Sequence, residues 1–99
     1  MVRHVVLWRL KPLGVDDRLA TLARISQALQ AQVGRIPGLL RLEVGSNFAA
    51  SRRAADFALL CDFENRSALE NYHRHPAHLE TRAIVDPLIA EHWIVDYET

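Results

Sequence analysis

The sequence predicts an α+β fold in which one four-stranded antiparallel sheet carries helices on a single face. Two observations on periodicity and one on order support this. Apolar residues alternate with period two in four segments, and they recur at three- and four-residue spacing in two others. The segments follow the order strand–helix–strand–strand–helix–strand, the split βαβ pattern of ferredoxin-like folds, βαββαβ. At 99 residues the chain is expected to form one domain over residues 1–99. A chain of this length buries roughly 65% of its unfolded surface, enough to fold without staples.

Val2 to Lys11 reads as the first strand, with His4, Val6, Trp8 and Leu10 on one face and Arg3, Val5, Leu7 and Arg9 on the other. Lys11-Pro12-Leu13-Gly14 breaks it. Asp16 and Asp17 open a helix, where carboxylates meet the positive end of the dipole. Leu19, Leu22, Ile25, Leu29 and Val33 form its apolar stripe, Gly34 caps it, and Pro37-Gly38 prevents continuation. Leu39 to Val44 alternates as a half-buried strand, and Gly45 to Ala55 is a polar connection carrying Arg52 and Arg53. Asp56 to Phe63 is apolar on both faces, as a central strand should be.

Asn65 or Ser67 caps a second helix containing Ala68, Leu69 and Tyr72. His75-Pro76 interrupts this helix, because proline pushes the preceding residue out of helical geometry and then suits the first position of a new helix. The restarted helix runs to near Val85. Glu91 to Tyr97 is the last strand, with His92, Ile94 and Asp96 on one face and Trp93, Val95 and Tyr97 on the other.

Composition excludes several function classes. Lysine plus arginine and aspartate plus glutamate are 12 each, so the chain is neutral and lacks the basic excess of a nucleic-acid binder. No apolar run reaches the ~18 residues of a membrane span, and the N-terminus lacks the apolar core of a signal peptide. The single Cys61 permits no internal disulfide and suits a reducing, cytoplasmic setting. Five histidines in a neutral chain are the conspicuous feature. Helices can cover only one face of the sheet. The other face carries Val5, Leu7, Ala58, Leu60, Trp93 and Val95, too apolar to leave in water. Face-to-face pairing of two copies would bury it, on the order of 800 Å² per partner.

Four stretches carry a family resemblance over essentially the whole chain: Arg3-His4-Val5-Val6-Leu7, Ile36-Pro37-Gly38-Leu39, Tyr72-His73-Arg74-His75-Pro76-Ala77-His78 and Val95-Asp96-Tyr97. In order and spacing the chain resembles the stress-responsive dimeric α/β-barrel (Dabb) family. Its Tyr-x-x-His-Pro-x-His stretch is similar to that of the polyketide cyclases of the olivetolic acid type. The resemblance implies a homodimeric α+β barrel and cofactor-free chemistry, with His78 as base and Tyr72 assisting at the substrate carbonyl. Phe57 stands where those cyclases carry a histidine and His92 where they carry an apolar residue, so their substrate does not transfer.

The residues themselves leave two readings open. Pro76 puts His78 in the first turn of a helix, where the dipole disfavours imidazolium and keeps a neutral ring able to accept a proton. A helix-capping or packing histidine fits the same position. His4 and His92 lie on corresponding strand faces, and Asp96 is placed to orient an imidazole. If those faces enclose a pocket, His4, Tyr72, His78 and His92 converge in it, against Val6, Trp8, Phe57, Leu59 and Ile94 as the substrate-binding wall. If they do not, the same residues fill a solid core.

A metal is not expected. His73, His75 and His78 lack an HExxH pattern, no cysteine supports zinc, and Pro76 disturbs their common geometry. Two function classes follow. One is acid–base catalysis, cyclase- or isomerase-like, on a small apolar carbonyl ligand. The other is a non-enzymatic binding or structural homodimer.

Overall fold

A computed structural model describes residues 1–12 and 15–99. Along the chain come β1 (Val2–Leu10), α1 (Val15–Gln30), β2 (Leu39–Ser46), β3 (Phe57–Phe63), α2 (Arg66–Arg74), α3 (Pro76–Val85), a 3-10 turn (Asp86–Leu88) and β4 (Ile89–Glu98). The strands form one antiparallel sheet in the order β2-β3-β1-β4. The ferredoxin-like arrangement is therefore present, with β1 and β3 central and β4 at an edge. Of the predicted break after β1, residues 13–14 lie outside the described residues. No helix among the described residues is long and apolar enough to cross a membrane.

Strand register sorts the side chains onto two faces. His4 pairs with Cys61 and Asp96, Val6 with Leu59 and Ile94, and Trp8 with Phe57 and His92. That side packs under the helices, where Val6, Phe57, Leu59, Cys61 and Phe63 are buried. Burial pushes the Cys61 thiol up to about 12, so it stays an uncharged packing group. Among the described residues, no helix packs on the opposite side. There Leu7, Trp93, Val95 and Tyr97 are 41%, 45%, 59% and 44% exposed, around an Arg3–Asp62 pair with Nε–Oδ1 at 2.8 Å.

The first helix departs from expectation at both ends of its stripe. Ile25 and Leu29 are buried and Leu22 half-buried, but Leu19 and Val33 are 64% and 58% exposed. The helix stops at Gln30 and passes into a turn, so the helical spacing that would have placed Val33 on the core face has already ended. Gln32, three residues after Leu29, occupies the buried end instead. Gly34, at φ +80°, supplies the left-handed residue of that turn.

Asn65 caps α2, its side-chain oxygen accepting the Ala68 N–H at 2.9 Å. His75 then closes one helix and opens the next. Its extended backbone (φ −68°, ψ 136°) is what the following Pro76 demands, its N–H donates to the Tyr72 carbonyl, and its Nδ1 accepts the Ala77 N–H at 3.0 Å. Thr81 ties α3 to α1, its hydroxyl 3.2 Å from the Ala28 carbonyl oxygen. Ahead of β2, Gly38 (φ +82°) accepts the Glu64 N–H at 3.0 Å and lies hard against Ala68.

Candidate functional site

Between α2, α3 and the inner face of the sheet lies a cleft of about 400 Å³. The core is thus not solid beneath the helices. The helices leave β4 uncovered, and that is where the cleft opens: Ile94 is 50% exposed and His92 is exposed as well. His4, Val6, Trp8 and Leu59 rise into it from the sheet. Tyr72 and His78 enter from the two helices on either side of the Pro76 break. Of the residues expected from sequence, Phe57 alone does not line the cleft. It is buried and stacks on Trp8 with centroids 5.7 Å apart, so Trp8 stands between it and the space.

Tyr72 is 1% exposed and lies between Phe63 and His78, with ring centroids 5.0 Å and 4.0 Å away. Burial pushes its hydroxyl well above the usual phenol range, and Cys61 adds to that; contact with Gln32 works in the opposite direction. The phenol therefore keeps its proton and remains a donor.

His78 is the complement. Burial, foremost, with nearby His73, Arg82 and His4, lowers its pKa to about 4. Desolvation dominates here, where the sequence argument relied on the helix dipole. The ring is neutral at pH 7, as a proton acceptor must be. A buried phenol and a neutral imidazole in contact place a hydrogen-bond donor beside a base.

The second imidazole of the cleft has a different partner. His4 is 4% exposed, and its Nδ1 faces the Asp96 carboxylate, which the β1–β4 register sets directly opposite. Asp96 thus orients His4 rather than His92. His4 and His73 rings are 5.7 Å apart, and His73 and His78 rings 5.9 Å. Burial and His4 lower the pKa of His73 as well. Among the described residues, no group of three or more His, Cys, Asp or Glu side chains is arranged to hold a metal ion.

Some cleft residues escaped the sequence reading. His73, Thr81 and Arg82 line it, and Arg82 pairs with Asp86 at its mouth, Nε to Oδ2 3.1 Å. Spacing could have flagged Arg82, one helical turn beyond His78. Gln32 is fully buried with Oε1 3.2 Å from His78 Nδ1. Its signal was the 25–29–32 spacing, which continues the apolar stripe with a polar residue.

Comparison with known proteins adds a family and a fold. The profile of the Stress responsive A/B Barrel Domain family matches residues 2–99. A crystal structure from Bacteroides fragilis, a dimeric protein of unknown function with a ferredoxin-like fold, is 27% identical with a TM-score of 0.89, covering 99% of this chain and 95% of that one. A dimeric ferredoxin-like protein of unknown function from Thermobifida fusca is 24% identical with a TM-score of 0.84, covering 99% and 90%. A hydroxynitrile lyase from Passiflora edulis shares the fold at 19% identity and a TM-score of 0.73, covering 97% and 90%. No curated protein shows significant similarity to the chain.

Proposed function

Because the chain belongs to the stress-responsive A/B barrel domain family, we propose that it is a homodimer in which each protomer's cleft carries out cofactor-free acid–base chemistry on a small, largely apolar carbonyl compound. The observation that carries this reading is the Tyr72–His78 contact at the floor of an open cleft, with the phenol held protonated and the imidazole held neutral. In such a site His78 removes a proton from carbon next to the substrate carbonyl. The electron pair moves onto the carbonyl oxygen, which Tyr72 meets with its O–H. Where a carbon–carbon double bond is conjugated with the enolate, the imidazolium returns the proton at the far carbon, an isomerisation. Otherwise the enolate carbon attacks a second carbonyl of the same molecule and the imidazolium protonates the alkoxide that forms, a cyclisation. Walls of Val6, Trp8, Leu59 and Ile94 suit an apolar body with one or two polar groups.

The dimer part of the reading rests on the uncovered sheet face and on the dimeric description of the structural neighbours. A lyase built on the same fold agrees with a fold able to house such chemistry. The test is a panel of small aromatic and aliphatic β-dicarbonyl compounds. Binding is followed by NMR shifts of the Tyr72 and His78 rings, and turnover by product formation. Compounds that shift those rings and are converted by the native protein but not by His78→Ala support the proposal. If binders leave both rings unmoved, or conversion survives in His78→Ala, it fails.

A further inference from the structure

Gln32 is a fully buried amide in the turn after α1, in contact with both Tyr72 and His78. Burying an amide is unfavourable unless its polar atoms find partners, and both ends of this one are occupied. Nε2 donates to the Leu29 carbonyl oxygen at 3.2 Å, and Oε1 stands 3.2 Å from His78 Nδ1. The Leu29 oxygen can only accept, so it fixes which end of the amide is nitrogen. The end facing the imidazole is then an oxygen, which also can only accept. For the contact to be a hydrogen bond, Nδ1 must carry the hydrogen. A neutral imidazole has one N–H, so its lone pair must lie on Nε2.

We propose that Gln32 is a positioning residue that holds His78 as the Nδ1–H tautomer and thereby makes Nε2 the atom that takes the substrate's proton. The tautomer follows from the hydrogen bonds alone; its use in proton transfer rests on the acid–base reading of the cleft. A carboxylate in this position would orient the imidazole and also favour its charged form. A neutral amide orients the ring without drawing it into the charged state, so the base stays free at neutral pH. The charged or titratable groups around His78 are Tyr72, His73, Arg82, His4 and Asp86, and none of them supplies this contact.

Long-range ¹H–¹⁵N correlation of the imidazole rings in the native protein at pH 7 is the direct test, and it needs neither substrate nor variant. A protonated Nδ1 and an unprotonated Nε2 for His78 are expected; the opposite tautomer overturns the proposal. Gln32→Met, which keeps the length of the side chain without the acceptor, should move His78 toward Nε2–H while the other histidine signals stay in place. Gln32→Glu should raise the His78 pKa from about 4 toward or past ~6.5. If either variant folds, shown by an unchanged amide spectrum, and leaves the His78 signals as in the native protein, Gln32 does not set the tautomer. With a converted substrate, Gln32→Met should lower kcat by about 10² and leave KM nearly unchanged. A native Nδ1–H tautomer that shifts in Gln32→Met, with no substrate ever converted, would leave Gln32 as the positioning group and defeat the catalytic reading instead.

Discussion

The rings of Tyr72 and His78 lie 4.0 Å apart, tilted by 40°, although they belong to different helices. On one continuous helix, six positions amount to ~600° of rotation and would separate the two side chains around the axis. The break at His75-Pro76 starts a second helix on a new axis and brings the rings into one cleft. His78→Ala should therefore lower kcat on a converted carbonyl substrate by ~10²–10⁴, the range for a lost general base. Tyr72→Phe keeps the ring packed against Phe63 and removes only the donor, and should cost ~10²–10³. Steady-state kinetics beside thermal melts of both variants check this. Equal loss of melting temperature with unchanged kcat would make the pair structural.

The low pKa of His78 predicts an unusual acid limb. Its folded value of about 4 lies below the ~6.5 of an unfolded histidine. Between those values the unfolded chain binds more protons. His78's contribution to stability is thus whole above pH ~6.5 and is lost as pH falls through that window toward 4. His73 is shifted in the same direction and adds to the slope. Urea unfolding from pH 7 to pH 4 should show stability falling, and His78→Asn should flatten the curve. In the native protein the acid limb of kcat should centre near 4 and not near 6.5.

The uncovered sheet face predicts a dissociating substitution. Leu60 lies half-buried in the middle of that face on β3, flanked by Val5 of β1 in the register. Sedimentation of the native protein at micromolar concentration should give twice the 11.3 kDa chain mass. Leu60→Glu should give a monomer, since a carboxylate buried without a partner costs several kcal/mol. A native monomer under those conditions would remove the dimer from the proposed function.

At Gly38 the backbone and the packing make the same demand. The φ of +82° disfavours any L side chain, and a Cβ there would meet the Ala68 Cβ at 2.5 Å. Gly38→Ala should destabilise the fold by roughly 1–3 kcal/mol or more, read from the midpoint of denaturant unfolding. Gly34→Ala is the control. It has the same sign of φ but nothing within 4 Å of the added Cβ, so it should cost less.

Sequence alone determined the elements and their faces, because alternation and helical spacing are local properties. Val2–Leu10 and Phe57–Phe63 sort their side chains by parity, and the observed register keeps that sorting. Pro76 marked the helix break for an equally local reason, the conformational restriction it places on His75. Only the tertiary structure decided which polar groups meet. His4 and Asp96 are 92 positions apart, and Gln32 and His78 are 46 apart. Such pairs depend on strand register and on where α1 stops, which no local period encodes. The same holds for Val33, placed on the core face by spacing and left exposed because its helix ended at Gln30. Whether the histidines filled a core or bordered a space was also a tertiary matter. It turned on how far α2 and α3 reach across the sheet, and they stop short of β4, leaving room for a ligand.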